Sequence, residues 1–128
     1  VLTEFKSHSY DYVSNVVVRS FPYGTETEVF SFDALEKDWN NAKNDNEREH
    51  VTPYFYNNPT KFKVHNVKHQ NDLSSFRWTV DQIEDFTLVK NIISKIDKRP
   101  ILMDDIMSLL TKEPDLLTIN KNVQHNHL

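Results

Sequence analysis

The chain has no cysteine and a single glycine, Gly24, among its 128 residues. The absence of cysteine excludes a disulfide framework and any metal site built from thiolates, and it agrees with a reducing compartment such as the cytoplasm. With one glycine, the sequence cannot form the glycine-rich loops whose backbone amides cradle the phosphates of a nucleotide. A loop of that kind would have to be supplied from outside these residues.

Long apolar runs and clusters of basic residues are missing as well. No stretch approaches the roughly 20 apolar residues that span a bilayer, so no membrane partner is expected. The formal net charge is −4 and the basic residues are scattered, which argues against a general nucleic-acid binder. A chain of 128 residues is expected to form one domain, over residues 1–128, with a small core. We therefore expect a cytoplasmic globular domain.

Apolar periodicity predicts an α/β fold. The clearest helix covers residues 82–96, because its apolar residues keep a period of 3.6: Ile83, Phe86, Val89, Ile92, Ile93 and Ile96. Strands are predicted over residues 10–18, 28–32, 61–68 and 76–80. The other helices are predicted over residues 33–42, 48–57 (interrupted near Pro53), and from Asp104 or Asp105 to Pro114. We expect a mixed sheet of about four strands with packed helices, and both tryptophans in the core.

Two carboxylates stand where the predicted strand 76–80 gives way to the clearest helix. Asp81 follows the apolar run Trp-Thr-Val, and Asp85 comes four residues later. Open α/β proteins place ligands and metal ions at the carboxyl ends of strands, and Mg²⁺ prefers one or two carboxylates together with substrate phosphates. However, an aspartate at this point is also a frequent helix N-cap, and acids in a first turn favour the positive end of the helix dipole. The pattern alone leaves both roles open.

Several blocks resemble the sugar cytidylyltransferases, above all their spore-coat polysaccharide (SpsF-like) branch. Residues 79–86 are similar to that family's signature Thr-Val-Asp-x-x-Glu-Asp-Phe, and residues 48–54 to its Arg-Glu-His-Val-Thr-Pro-Tyr block, the most specific of the set. Residues 21–24 and 28–31 look like its Phe-Pro-x-Gly and Glu-Val-Phe-Ser pair. The resemblance begins near Asp11 and continues to the tail. The sequence departs from the family at Tyr23, usually Asp, and at residues 82–83, commonly Thr-Pro.

The resemblance implies the carboxyl-terminal half of a Rossmann-like nucleotidyltransferase fold, because family members are about twice this length. It implies that the complete enzyme makes a CMP-activated sugar from CTP for surface or spore-coat polysaccharide, with Mg²⁺ as cofactor and as a homodimer. The family's nucleotide-binding loop lies in its amino-terminal half. This chain is therefore expected to be inactive alone.

The resemblance also implies roles for five residues. Asp81 would hold the metal, Arg48 and Glu49 would be catalytic, and Glu28 and His50 would bind the substrate. Taken alone, the Arg-Glu-His run would read as the solvated start of a helix. Arginine, however, offers a bidentate fork to carboxylate or phosphate, which suits a substrate-facing position.

Two alternatives to the enzyme fragment remain open at the level of sequence. The chain could be a non-catalytic binding or dimerisation module that has lost the nucleotide loop. It could also be a subunit that completes its site with a separate chain. The residues specify no particular sugar.

Overall fold

The computed structural model describes residues 1–124, and the chain divides into two units. The first unit consists of residues 1–21 and 25–74, and the second consists of residues 22–24 and the chain from residue 75 onward. The prediction of one domain over residues 1–128 stays a prediction. Among residues 1–124, none of the helices combines the length and the apolar character that crossing a membrane requires.

The first unit contains a mixed sheet of three strands in the described part of the chain. The strands are β1 (Tyr12–Ser14), β2 (Glu28–Phe30) and β3 (Val64–Asn66). The central strand β1 runs antiparallel to β2, with Tyr12 opposite Phe30, and parallel to β3, with Tyr12 opposite Val64. All three residues of β1 are fully buried, as expected for a strand covered on both faces. The predicted mixed sheet is confirmed, although it has three short strands instead of about four longer ones.

Asparagine side chains explain why the predicted strand 10–18 ends at Ser14. The Asn15 amide donates to the carbonyl of Thr25 and its oxygen accepts from the amide of Thr27, at 2.9 and 2.8 Å. In the same way the Asn66 side chain bonds both the amide and the carbonyl of Val18. Residues 16–19 form a turn, and the β-branched run there was therefore misread as strand.

The helices of the first unit are short, and side chains cap two of them. They are α1 (Leu2–Ser7), α2 (Phe32–Asn41), α3 (Asp45–His50) and α4 (Pro53–Asn57). Ser31 caps α2 by accepting from the amide of Ala34, and Asn44 caps α3 by accepting from the amide of Glu47. The helix predicted over residues 48–57 is really two helices, because Val51 leaves the helical region with φ 62° and ψ −55° and Pro53 begins a new helix.

Aromatic rings fill the core of the first unit. Phe55 is fully buried, and its ring centroid lies 5.2 Å from Tyr12, 5.3 Å from Phe30 and 5.0 Å from Phe62. Such offset and edge-to-face contacts stabilise a core beyond the burial of apolar area. The expectation that Trp39 lies in the core is wrong, since 67% of this residue is exposed.

The second unit is built from two helices, α5 (Ile83–Lys95) and α6 (Met103–Lys112), and a 3₁₀ helix (Pro114–Thr118). Its core contains Leu88, Ile92, Leu110 and Leu116, with Trp78 and Ile96 packed against it. The predicted burial of the isoleucine stripe is confirmed for Ile92 and Ile96. The stripe is narrower than predicted, because the buried face of α5 follows Asp85, Leu88 and Ile92, whereas Ile83, Phe86 and Ile93 are exposed.

The strand predicted over residues 76–80 is wrong. In its place, one parallel bridge joins Tyr23 to Arg77. The amide of Tyr23 donates to the carbonyl of Phe76 at 2.9 Å, and the amide of Trp78 donates to the carbonyl of Tyr23 at 2.7 Å. Gly24, the next residue after Tyr23, turns the chain with a φ of +99°.

Gly24 should not tolerate a side chain. A Cβ there would lie 2.8 Å from the backbone nitrogen of Thr79 and 2.8 Å from the carbonyl carbon of Trp78, and the positive φ adds strain for any other residue. We expect Gly24→Ala to lower the free energy of unfolding by at least about 1–3 kcal/mol, measured by urea denaturation. Gly24→Asn separates the causes, since asparagine tolerates positive φ better but carries the same Cβ. If Gly24→Asn retained wild-type stability, the close approach would not be the constraint.

Candidate functional site

A buried arginine organises the segment that carries the two predicted carboxylates. Arg77 donates from Nε to Oδ1 of Asp85 at 2.9 Å and from Nη2 to Oδ2 of Asp85 at 2.9 Å. Nη2 also donates to Oδ2 of Asp81 at 2.8 Å. The side chains of Arg77 and Asp85 are 8% and 0% exposed, whereas that of Asp81 is 64% exposed. Two carboxylates therefore share one guanidinium, but only Asp81 faces solvent.

Asp85 has a structural role, because its oxygens are already occupied. Besides Arg77, it accepts from the Asn120 amide at 3.0 Å and from the backbone amides of Asp81 and Gln82 at 3.2 and 3.1 Å. The bond from Arg77 holds the pKa of Asp85 well below its usual range against the opposing effect of burial, with help from Asn120 and the two amides. Asp85 in turn raises the pKa of Arg77. Asp85 is thus an ionised partner for Arg77 at neutral pH.

Asp85 and Gln82 together form the cap of α5. Gln82 is the N-cap residue, and the Asp85 carboxylate, three residues later, accepts from the amide of Gln82 at 3.1 Å. This is the carboxylate half of a capping box. The alternative that Asp81 is the N-cap is therefore wrong.

Asp81 keeps one oxygen available. Its Oδ2 accepts from Arg77, and Oδ1 accepts no hydrogen bond from residues 1–124. The side chain lines an open depression of about 290 Å³. The other residues around it are Arg77, Gln82, Glu84, Val123 and Gln124. With the buried Asp85 on Arg77 included, one guanidinium and three carboxylates leave this corner with two net negative charges.

The residues around Asp81 could supply only part of the ligands that Mg²⁺ needs. Magnesium commonly binds one or two carboxylates and takes its remaining ligands from substrate phosphates and water. The outward oxygen of Asp81 could supply one such ligand. Among the residues that the structure describes there is no group of three or more metal-ligating acids and histidines. The fit is therefore to a metal that arrives with phosphates, not to a metal held by these residues alone.

Arg48, Glu49 and His50 follow one another on α3 in the first unit, and all three are exposed. The Arg48 guanidinium carbon lies 5.2 Å from the centre of the Trp39 ring, a cation–π contact. The next residue, Val51, has φ 62° and ψ −55°, and the amide of Thr52 donates to the carbonyl of His50 at 2.6 Å. This is the strained γ-turn with positive φ, which is rare for a β-branched residue.

Glu28 begins the edge strand β2 and is held by a buried tyrosine. The Tyr12 hydroxyl donates to Oε2 of Glu28. Burial, followed by this hydrogen bond, raises the pKa of Tyr12, so the phenol stays protonated as a donor. Burial and the charge of Glu28 also raise the pKa of the neighbouring Tyr56. The Tyr12 hydroxyl therefore holds the Glu28 carboxylate by one of its two oxygens.

The structure thus brings the predicted residues together in three places. Arg77 joins Asp81 and Asp85 in the second unit, whereas Arg48, Glu49 and His50 share one helix and Glu28 pairs with Tyr12 in the first. Sequence reasoning missed Arg77, Asn120 and Tyr12. Arg77 stands inside an apolar run. Because arginine is almost never buried without a partner, an arginine at such a position could have predicted a buried ion pair. Neither Asn120 nor Tyr12 offered such a signal.

Known proteins are similar to nearly all of this chain. A solved structure, a cytidylyltransferase from Leptospira borgpetersenii, superposes with a TM-score of 0.83 at 29% identity over 98% of this chain and 52% of its own. An uncharacterised protein of Methanocaldococcus jannaschii is 40% identical over 119 residues, 91% of this chain and 48% of the relative. The spore coat polysaccharide biosynthesis protein SpsF of Bacillus subtilis is 30% identical over 80 residues, 60% of this chain and 33% of the relative. No family model matches the chain.

The predicted resemblance to the cytidylyltransferases is confirmed. The SpsF-like branch is supported by the Bacillus subtilis relative, and the α/β fold with a mixed sheet and packed helices matches that of the Leptospira cytidylyltransferase. The chain spans about half the length of that enzyme and of the Methanocaldococcus relative. The roles assigned to Asp81, Arg48, Glu49, His50 and Glu28 stay predictions.

The buried pair should make stability depend on pH through Asp85. Because its folded-state pKa is lowered, its contribution is complete above the unfolded value of about 4 and is lost as the pH falls below that value. We expect Asp85→Asn to lower the free energy of unfolding by about 3 kcal/mol or more at pH 7, since it leaves a buried guanidinium poorly compensated. The variant should lose less of its remaining stability than the wild type between pH 5 and pH 2, by denaturant titration at each pH.

Asp97→Asn is the matched control, because Asp97 is exposed in the same unit. It should change the free energy of unfolding by less than about 0.5 kcal/mol. An equal effect of the two substitutions would contradict the structural role of Asp85.

Proposed function

We propose that this chain is part of a nucleotidyltransferase that forms a CMP-activated sugar from CTP for a surface or spore-coat polysaccharide. The observation that carries the proposal is the likeness of 98% of the chain to the Leptospira cytidylyltransferase, at a TM-score of 0.83. The similarity to SpsF adds polysaccharide synthesis as the use of the product. We further propose a cytoplasmic location and a homodimer, as the family resemblance implies.

In the proposed reaction, an oxygen of the sugar attacks the α-phosphorus of CTP. A new bond forms between that oxygen and the α-phosphorus, the bond from the α-phosphorus to the bridging oxygen breaks, and pyrophosphate leaves. Mg²⁺, when bound, would supply positive charge to offset the charge that develops on the phosphates. The outward oxygen of Asp81 would hold the metal, and Arg77 would keep the carboxylate in place through its bond to the other oxygen.

In the proposed reaction, the exposed residues of α3 bind the substrate and accept its proton. Arg48 would offer its planar fork to a phosphate or a sugar carboxylate, which suits two parallel hydrogen bonds. Glu49 is the carboxylate in this run that could take the proton from an attacking hydroxyl. His50 and Glu28 would bind the sugar, Glu28 with the oxygen that Tyr12 leaves free.

The first test is a substitution of Asp81. In this chain Asp81→Asn should change the free energy of unfolding by less than about 1 kcal/mol, because an exposed ion pair contributes little. In the complete enzyme it should reduce turnover at least about tenfold and raise the Mg²⁺ concentration needed for half-maximal rate, since a neutral amide is a poorer ligand for a hard cation. The measurement is release of pyrophosphate from CTP with a panel of sugars.

Glu84→Gln is the matched control for Asp81→Asn. It removes a carboxylate from the same depression and leaves the ion pairs of Arg77 unchanged. It should leave the Mg²⁺ requirement unchanged. If Asp81→Asn kept wild-type activity and metal requirement, Asp81 would not be the metal ligand.

The second test concerns the chain by itself. Because it has one glycine, it cannot form a glycine-rich phosphate loop, and we expect only weak binding of CTP with Mg²⁺ by titration calorimetry. Adding the amino-terminal half, joined or as a separate chain, should bring back both binding and turnover. Micromolar binding by this chain alone would show that the other half is not needed. A complete protein that binds CTP but releases no pyrophosphate would favour the non-catalytic module.

A further inference from the structure

An open apolar groove of about 360 Å³ runs along α2 and α3 in the first unit. Its apolar lining includes two large side chains that lie mostly in solvent, since Phe32 is 75% exposed and Trp39 is 67% exposed. The remaining lining residues are Leu35, Glu36, Asp38, Ala42, Glu47, Arg48 and Val51. The volume and the mainly apolar lining with a few polar groups are those of a small-molecule site.

Asp38 is the unusual member of this lining. The residue is 3% exposed, and its Oδ1 has no hydrogen-bond partner among residues 1–124. Burial, followed by the nearby charge of Glu47, raises the pKa of this carboxyl. A buried carboxylate without a donor is costly, and folded proteins rarely leave such a group unsatisfied. Asp38 is therefore a lining residue whose carboxyl accepts no hydrogen bond from the described residues.

The charges around the groove favour a cation. Glu36, Asp38 and Glu47 contribute three carboxylates, whereas Arg48 contributes one guanidinium, which lies over the Trp39 ring. A ligand that brings positive charge would offset this excess, and a ligand that brings a donor would satisfy Asp38. An anionic ligand would meet repulsion from all three acids.

We propose that this groove binds a small organic cation, an ammonium group on an aromatic or aliphatic body, with the ammonium donating to Asp38 and the body packing against Trp39 and Phe32. The site uses neither Asp81 nor the nucleotide. It shares Arg48 with the proposed transferase site, but its test needs neither CTP nor turnover and can be made on this chain alone.

The test uses phenethylammonium as the probe and phenethyl alcohol as its neutral counterpart. The chain has two tryptophans, so its proton–nitrogen NMR spectrum should show two indole N–H signals, assigned by Trp39→Phe. Phenethylammonium should shift the Trp39 signal saturably, while the signal of Trp78, which belongs to the second unit, serves as a reference. The alcohol, which has a donor but no charge, should bind at least about tenfold more weakly.

Asp38→Asn and Asp33→Asn form a matched pair of variants. Both remove one negative charge from α2, but Asp38 lines the groove whereas Asp33 is exposed outside it. Asp38→Asn should fold, because it removes a buried charge that has no partner. It should lose most of the preference for the amine over the alcohol, because the acceptor is gone although Glu36 and Glu47 remain, whereas Asp33→Asn should retain the wild-type preference.

Three results with the wild-type chain would overturn the proposal. The first is a Trp39 signal that does not move saturably with phenethylammonium, and the second is equal affinity for the amine and the alcohol. The third is tighter binding of the peptide acetyl-leucyl-lysyl-leucine amide than of phenethylammonium. That result would assign the groove to a lysine of a protein partner instead of a small cation.

Discussion

The ion pair between Arg77 and Asp85 is the interaction on which the second unit depends. Burying a guanidinium is costly unless its donors are met, and here both carboxylate oxygens of Asp85 meet them. The same carboxylate caps α5 through Gln82 and accepts from Asn120, which follows the 3₁₀ helix. One buried charge pair therefore ties together the bridge segment at Arg77, the start of α5 and the end of the described chain. The outward orientation of Asp81 is a consequence of that arrangement.

Asp81 and Asp85 look equivalent in the sequence, but they have different environments in the structure. Asp81 and Asp85 both stand at the start of a helix, and both could be read as caps or as metal ligands. Burial decides between the two roles. Both oxygens of the buried Asp85 already accept hydrogen bonds from Arg77, Asn120 and backbone amides, whereas Asp81 retains an oxygen that faces solvent. Sequence position does not show which acid will be buried, since that depends on where Arg77 lies.

The parts of the fold that follow from a local pattern were predictable. The amphipathic period over residues 82–96 gives α5 to within one residue at each end, and the α/β class with a mixed sheet follows from the alternating elements. The errors arise where side chains replace backbone pairing or where a partner segment is short. Asn15 ends β1 early, and the segment at Arg77 pairs only with Tyr23. Trp39 was misplaced because residue type alone does not distinguish a core aromatic from one that lines a groove.

Among residues 1–124, the two backbone positions with positive φ lie in two of the blocks that carry the family resemblance. At Gly24 the cause is packing, because the backbone of Trp78 and Thr79 leaves no room for a Cβ. Val51 is 40% exposed, and its strained turn follows three exposed side chains, Arg48, Glu49 and His50. Strained backbone clusters at functional sites, so this turn agrees with the proposed substrate-facing role of α3, which stays a prediction.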